Sequence, residues 1–394
     1  MRYLIAAIFL GAAFRIGLLC ASYGWFPNGD PLNYLALAES VAAGNGLVRY
    51  ESIYGGELRA FYPPLYPLML GVLHATSQPA ILAVNFAIDL CATLVLVRLA
   101  TSLTNQTFGR LIGAAYVLWP LNILSATAPQ KEGLSALLVI LSAHLLVNAS
   151  RRPSIITPVL FGGLVGLLGL TQPALLPLPG LLALVLFKRF EPRIWARVVV
   201  ISVAACALVM LPWWVRNYII FGEFVPLTTS GGLSLWVGAF SPTGGWIPPK
   251  ETFLIGSEIE IGRLAAREAW LWIQQHPAEY LLHCVMKVVR TLLGVGWALD
   301  RLLITTQMPV EIMKPPILAL NVLLSAAAAV GLVIGRGVSR ALLLACIVHL
   351  FVFQMWFEVA ERHAYYLIPF MMLCAVAGWE KLRRREPRLA TDFG

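Results

Sequence analysis

The residues of this chain that could do chemistry stand in short segments between long apolar runs. The first such segment reads Trp25-Phe26-Pro27-Asn28-Gly29-Asp30-Pro31-Leu32-Asn33-Tyr34, directly after the first apolar run. Asp30 then lies at a membrane–water boundary, where partial desolvation raises a carboxylate's basicity. A base at that depth could take a proton from a hydroxyl while a lipid-borne group waits beside it. Asp30-Pro31 also reads as a helix N-cap followed by proline at the first helical position. The two readings are compatible. In Phe61-Tyr62-Pro63-Pro64-Leu65-Tyr66-Pro67 the prolines stiffen the backbone. Its tyrosines could stack on a sugar, or lead rigidly into a membrane helix as interfacial aromatics. Lys131-Glu132 is either an interfacial anchor or a second carboxylate facing Asp30, placed for an acceptor or a metal.

Further on, Pro212-Trp213-Trp214-Val215-Arg216-Asn217-Tyr218 sets a guanidinium beside two tryptophans. That fork suits two charge-assisted hydrogen bonds to a phosphate. A snorkelling arginine is the alternative. Gly231, Gly232, Gly238, Gly244 and Gly245 follow, with Trp236 and Trp246 among them, a mixture of close backbone approach and aromatic platforms. Glu358, Glu361, Arg362, His363, Tyr365 and Tyr366 fall together near the end. Arg362 and His363 could neutralise a leaving phosphate, or Arg362 could pair with Glu361 or Glu358. Arg15 and Asp89 lie deep in apolar runs, where each needs a partner or a cavity. They could pair with each other, or Arg15 could meet a lipid phosphate.

The elements that must position these groups are membrane spans. Of 394 residues, 59% are hydrophobic and 12% charged, with a mean hydropathy of +0.77. Soluble domains carry about 25% charged residues, so a soluble enzyme and a disordered chain are both excluded. Spans of about 20 apolar residues fit ten places: 3–23, 78–102, 109–127, 133–150, 155–171, 173–187, 197–214, 316–335, 339–358 and 364–380. The first reads as a retained anchor rather than a cleaved signal. The run 155–187 has basic residues at both ends (Arg151, Arg152; Lys188, Arg189, Arg193, Arg197), so it must cross twice, with Gln172-Pro173 as the outer turn. On this threading 16 basic residues and four acidic ones fall at one set of ends, which makes that side cytoplasmic, both termini included.

Two long outer segments, 24–77 and 215–315, precede the last three spans (316–380) and a basic tail (381–394). Ser257-Glu258-Ile259-Glu260 is a capping box opening a helix to about Gln275. Pro277 opens another, about 278–299, carrying Glu279, His283, Lys287 and Arg290 at spacings of three or four. Parity forbids a crossing there, so it is expected on the outer membrane surface, its charged face in water or in a site. The six cysteines form no CxxC and no disulfide framework. Nucleotide-binding, zinc-protease and nucleophile-elbow motifs are absent from the sequence.

The whole set resembles the bacterial GT-C membrane glycosyltransferases of the family 39 type, related to protein O-mannosyltransferases and aminoarabinose lipid A transferases. The resemblance runs through Arg15, Asp30-x3-Tyr34-x3-Ala38, Gly44-x-Gly46, Pro63-Pro64-Leu65-Tyr66-Pro67 and Glu132. It continues through Thr171-Gln172-Pro173, Pro212-Trp213-x2-Arg216-Asn217-Tyr218, Gly231-Gly232 with Trp236, and Arg362. It implies an all-α polytopic fold of about ten spans, with outer amphipathic helices and loops capping the active site. It also implies Asp30 as catalytic base and a polyprenyl-monophosphate sugar as donor, used on the outer face of a bacterial cytoplasmic membrane. Arg216, Arg362, Lys131 and Arg59 would bind the donor phosphate. Tyr34, Tyr62, Glu132, Asn217, Trp236 and His363 would bind substrate.

Two departures stand out. Many members have Asp-Glu where this chain has Asp30-Pro31, and Lys or His where it has Tyr62. The chain is short for that family, which favours a lipid or glycan acceptor over a folded protein. No metal is expected to be obligatory, although a divalent ion between Asp30 and Glu132 is possible. Nucleic acid is not an expected partner. A transporter or flippase of lipid-linked sugars would also have many spans, but repeated halves and matching broken helices are not evident in the sequence. An acyltransferase using His74 or His144 lacks a supporting acid spacing.

Overall fold

The structure is a computed structural model describing residues 1–24, 26, 29–51, 56–151, 154–186, 192–242, 247, 256–294 and 310–383. Trp25, Pro27, Asn28, Arg152, Lys188, Arg189, Glu191, Gly244, Gly245, Trp246, the 295–299 end of the second amphipathic helix and the tail beyond Arg383 lie outside the described residues. Apolar runs become helices because lipid offers no partners for backbone groups, and each of the ten expected runs is helical over most of its length.

The helices in chain order begin with α1 (Arg2–Ala21), α2 (Asp30–Ala42) and α3 (Leu65–Val72), with a hairpin of β1 (Arg49–Glu51) and β2 (Gly56–Leu58) between the last two. Then come α4 (Gln78–Leu103), α5 (Gln106–Val117), α6 (Pro120–Ser125), α7 (Glu132–Arg151) and α8 (Thr157–Thr171). These are followed by α9 (Leu178–Leu186), α10 (Pro192–Phe221), α11 (Gly231–Phe240), α12 (Glu258–Gln275) and α13 (Pro277–Leu293). The last three are α14 (Val310–Ile334), α15 (Val338–His349) and α16 (Ile368–Arg383). Among the described residues, five helices (α1, α4, α7, α10 and α14) are long and apolar enough to cross a membrane alone.

One end of the bundle is tied by polar contacts between the expected cytoplasmic ends. Arg151 donates to the Ser102 carbonyl at 2.7 Å, Asn105 to Glu380 at 3.0 Å, and Lys381 to the Ile334 carbonyl at 2.6 Å. At the other end Gln78 joins the ends of α1 and α4, accepting from the Gly24 amide and donating to the Ser22 carbonyl. The run 155–187 is interrupted by an extended Gln172 and a short turn over Pro173–Leu175, where the outer turn was expected. Between α14 and α16 the backbones touch, since a Cβ on Gly378 would lie 2.6 Å from the Gly331 Cα. Small residues permit that approach between membrane helices.

Arg15 and Asp89 pair with each other at 2.7 Å, both buried. Arg15 also donates to the Gly11 carbonyl at 3.1 Å and to the Val117 carbonyl at 3.0 Å. The latter is one of the carbonyls left over where α5 ends ahead of Pro120. The mutual pair therefore accounts for both deep charges.

Four expectations change. The ninth run shortens: α15 stops at His349, a π-turn covers Leu350–Gln354, and Glu358 lies outside the helix. The tenth starts as a single 3-10 turn, Glu361–Ala364, before α16. The third run, 109–127, breaks into α5 and α6 at Leu118-Trp119. The capping box forms and opens α12, and α13 turns most of its charged face toward the protein rather than toward water. Its His283, Lys287 and Thr291 are buried, whereas Leu281, Leu282, Val285, Met286 and Val289 are exposed. The charged face packs on the protein because its donors find backbone carbonyls there, and the apolar face is left for lipid.

Candidate active site

Asp30 opens α2, but the N-cap is Gly29, with a φ of 87° that disfavours any side chain. Asp30 is thus one position inside the helix rather than its cap. Its Oδ2 instead accepts from Arg362 Nη2 at 2.6 Å. The same guanidinium lies 3.5 Å (Nε to Oε1) from Glu132, the first residue of α7. Residues 332 positions apart in sequence are joined by one cation.

Neighbouring elements fix this arrangement. Tyr66 donates to Asn85 Oδ1 at 2.7 Å and accepts from the Gln130 amide at 3.1 Å. Asn85 in turn donates to the Ala126 and Ala128 carbonyls at 3.0 and 2.9 Å. The loop leading to Lys131 and Glu132 is therefore bound to the α4 wall. Asn85, Asp89 and Thr93 form a buried polar stripe at i, i+4 spacing on α4. That spacing was the available signal for Asn85, which sequence reasoning missed. On the opposite side, buried Lys287 donates to the Gly238 carbonyl at 2.7 Å and the Phe357 carbonyl at 3.1 Å. The Glu358 amide donates to the Ser234 carbonyl at 2.8 Å. Gly238 must be glycine, because a Cβ there would lie 2.6 Å from the Phe357 carbonyl carbon. These contacts hold the strap that carries Glu358 and the Arg362 turn.

Tyr34 is almost fully buried, with Lys131 Nζ 5.1 Å from its ring centroid and Tyr62 edge-on at 5.6 Å. Tyr62 accepts a hydrogen bond from Asn33. The Tyr34 hydroxyl and the Gln130 side-chain amide are buried without a hydrogen-bond partner among the described residues. Nothing in the sequence had singled out Gln130.

The electrostatics follow from packing three carboxylates and two cations together. Burial pulls the Arg362 guanidinium down, but Asp30, Glu132 and Glu358 outweigh it and hold Arg362 above its ordinary value. Burial, and then the Asp30 charge, push Glu358 up to about 7 against the opposing pull of Arg362 and Lys131. Burial, followed by the Asp30 and Glu132 charges, raises the Tyr34 phenol. Burial, with Arg362 and Lys131, keeps His363 neutral.

Other expected site residues lie elsewhere. His363 turns its Nδ1 back to accept from the Ala360 amide at 3.1 Å, so it caps its own turn. Arg216 stacks on Trp213 with its guanidinium carbon 4.8 Å from the ring centroid. It donates to the Leu47 carbonyl at 2.9 Å and to Asn217 at 3.0 Å. Asn217 is buried and donates to the Val225 carbonyl at 3.0 Å. Arg59 pairs with Glu57 at 2.6 Å, and the Arg59 and Ala60 amides donate to Glu258. Burial raises the Glu258 carboxyl despite those two amides. Arg216, Arg59 and Glu258 thus form a second charged group that ties α10, α12 and the hairpin together. Trp236 is buried against Phe240 at 5.3 Å and presents no open platform.

A divalent ion between Asp30 and Glu132 fits this arrangement poorly, because the Arg362 guanidinium already faces both carboxylates. The described residues contain no group of three His, Cys, Asp or Glu able to hold a metal.

No family model matches the chain, and no curated protein matches it significantly. Solved structures do. An oligosaccharyltransferase from Archaeoglobus fulgidus, in complex with Zn and sulfate, superposes with a TM-score of 0.58 at 14% identity, over 97% of this chain and 50% of that one. The archaeal oligosaccharyltransferase AglB of the same organism, in complex with an inhibitory peptide and a dolichol-phosphate, gives 0.53 at 12% identity over 96% and 50%. ArnT from Cupriavidus metallidurans bound to undecaprenyl phosphate gives 0.48 at 14% over 95% and 77%. This chain therefore has the GT-C fold and spans about half the length of the oligosaccharyltransferases it resembles.

Proposed function

We propose that the Asp30 cluster is the centre of an inverting glycosyl transfer, from a polyprenyl-monophosphate sugar to a hydroxyl of a lipid or glycan acceptor, on the outer face of a bacterial cytoplasmic membrane. The observation that carries this reading is the Arg362 guanidinium between Asp30 and Glu132, with Lys131 alongside. A carboxylate base and two cations at one place suit a reaction that removes a proton and releases a phosphate. The fold shared with a dolichol-phosphate-binding oligosaccharyltransferase is consistent with it.

Asp30 takes the acceptor proton. The acceptor oxygen attacks the anomeric carbon from the face opposite the phosphate, and the carbon–phosphate-oxygen bond breaks. The polyprenyl phosphate departs with its new charge held by Arg362 and Lys131. The phosphate is assigned to these two rather than to Arg216, whose donors meet Leu47 and Asn217.

The resting ion pair has a further consequence. Arg362 occupies the Asp30 oxygen that would take the proton while it is bound to it. A donor phosphate competes for the same guanidinium, so donor binding releases the base. Tyr34 and Gln130, with buried polar atoms to satisfy, are placed to receive sugar hydroxyls. Reconstituted protein given a polyprenyl-monophosphate sugar and a membrane extract should form a glycoside with inverted anomeric configuration and release polyprenyl phosphate in equal amount. Retention of configuration, or unaltered donor carried across the bilayer, would overturn the proposal.

A further inference from the structure

The Glu361–Ala364 turn has two faces. Arg362 points to Asp30, whereas Glu361 points away, to Arg290 of α13 at 2.7 Å. Only one Glu361 oxygen is used there. The side chain is 4% exposed, and its Oε2 has no hydrogen-bond partner among the described residues. It borders a partly open cleft between α6, α13, α14 and α16 whose free volume of about 20 Å³ admits one hydroxyl-sized group.

The polar groups around the cleft already give away donors. Thr291 donates to the Lys287 carbonyl at 2.7 Å, Ser325 to the Leu292 carbonyl at 3.2 Å, and Asn321 to the Gly294 carbonyl at 3.2 Å. The oxygens of these three side chains keep acceptor capacity, as does Glu361 Oε2. Arg290 cancels the Glu361 charge, so a charged guest of either sign gains little net attraction. Leu121 and Ile368 supply apolar wall. A guest with O–H donors on one side and carbon on the other matches both surfaces.

We propose that this cleft is a binding site for a neutral, hydroxyl-bearing group such as the edge of a polyol or sugar. Exposed Leu320 and Leu323 on α14 adjoin it, so the cleft meets a surface that lipid covers. The hydroxyls can belong to a lipid headgroup or to a free glycan; the chemistry is the same. A guest on Oε2 braces the four-residue turn from behind and so steadies Arg362. The site stands whether or not Asp30 performs the transfer.

The test uses the full chain in phosphatidylcholine nanodiscs and native mass spectrometry of retained lipid. Phosphatidylglycerol competes with phosphatidylmethanol, which has the same charge but no headgroup hydroxyls. Free methyl glucoside is the second probe. A hydrogen bond to a buried carboxylate gives a preference of about tenfold or more for the hydroxylated lipid. Asn321→Leu and Ser325→Val, which leave the Glu361–Arg290 pair intact, should cut it below about threefold with little change in melting temperature. Displacement of bound lipid by methyl glucoside, or glucoside retention without lipid, also supports the site and names a glycan source. Equal retention of both lipids with no glucoside binding overturns it. So does a preference that survives in Asn321→Leu, Ser325→Val and Glu361→Gln alike.

Discussion

Replacing Arg362 by alanine removes the cation that two carboxylates share. At 2.6 and 3.5 Å, and an effective dielectric of about 20, each attraction is roughly 5 kcal/mol before desolvation is charged against it. Measured losses on breaking buried pairs are about 3–5 kcal/mol, because a charge is left buried and uncompensated. Glu132 is 4% exposed and Asp30 26%. Water can therefore relax Asp30 in the variant, and most of the cost falls on Glu132. Arg362→Ala should lose about 3 kcal/mol of stability and about 10²–10³ in transfer rate. Adding Glu132→Gln removes the stranded charge, so the double variant should regain more than half of the stability. Its rate should stay low, because nothing restores the phosphate ligand. Denaturation of the purified protein and donor turnover in proteoliposomes separate the two quantities. If rate returns together with stability, Arg362 only supports the fold, and the reasoning fails. It fails equally if Arg362→Ala turns over within about threefold of wild type.

Other outcomes follow from the same structure. Glu358, held at about 7 against an ordinary value of 4.5, binds more protons folded than unfolded between those pH values. Stability should then fall as pH rises through that window, by at most about 3 kcal/mol, and Glu358→Gln should flatten the melting-temperature profile there. Arg15→Met and Asp89→Leu should each cost about 3–5 kcal/mol, while the double variant should cost clearly less than their sum. Additive losses in thermal unfolding would show that the pair is not a unit. Chelation should leave turnover intact, since Arg362 occupies the place a metal would take between Asp30 and Glu132. A drop of more than about tenfold on chelation, restored by one added divalent ion, would reverse that assignment.

What the sequence revealed and what it hid divide along physical lines. Spans were readable because lipid forces each apolar run to satisfy its own backbone, and the helix break expected at Gln172-Pro173 is present. The α12 capping box is a local motif and formed as expected. Side-chain direction was not readable. Trp213-Trp214-x-Arg216-Asn217 would look the same whether it gripped a phosphate or, as here, the Leu47 and Val225 carbonyls. His363 and Trp236 are chemically suited to a site yet turn into a local cap and a packed aromatic pair. Which way the charged face of α13 turns was left open, because its polar side chains meet carbonyls of α11 and the strap, partners far away in sequence. A second carboxylate facing Asp30 was one reading of Glu132, but the pairing expected of Arg362 was with Glu361 or Glu358; it meets Asp30 and Glu132 instead, while Glu361 pairs with Arg290, and no spacing rule links positions so distant.

The most direct test of the central claim is the transfer reaction of Asp30→Asn, measured with labelled polyprenyl-monophosphate sugar in proteoliposomes alongside retention of the donor by the same protein. The account predicts that donor is still retained and that turnover falls by about 10²–10⁴, the usual loss of a general base. Near-normal turnover in Asp30→Asn would contradict it.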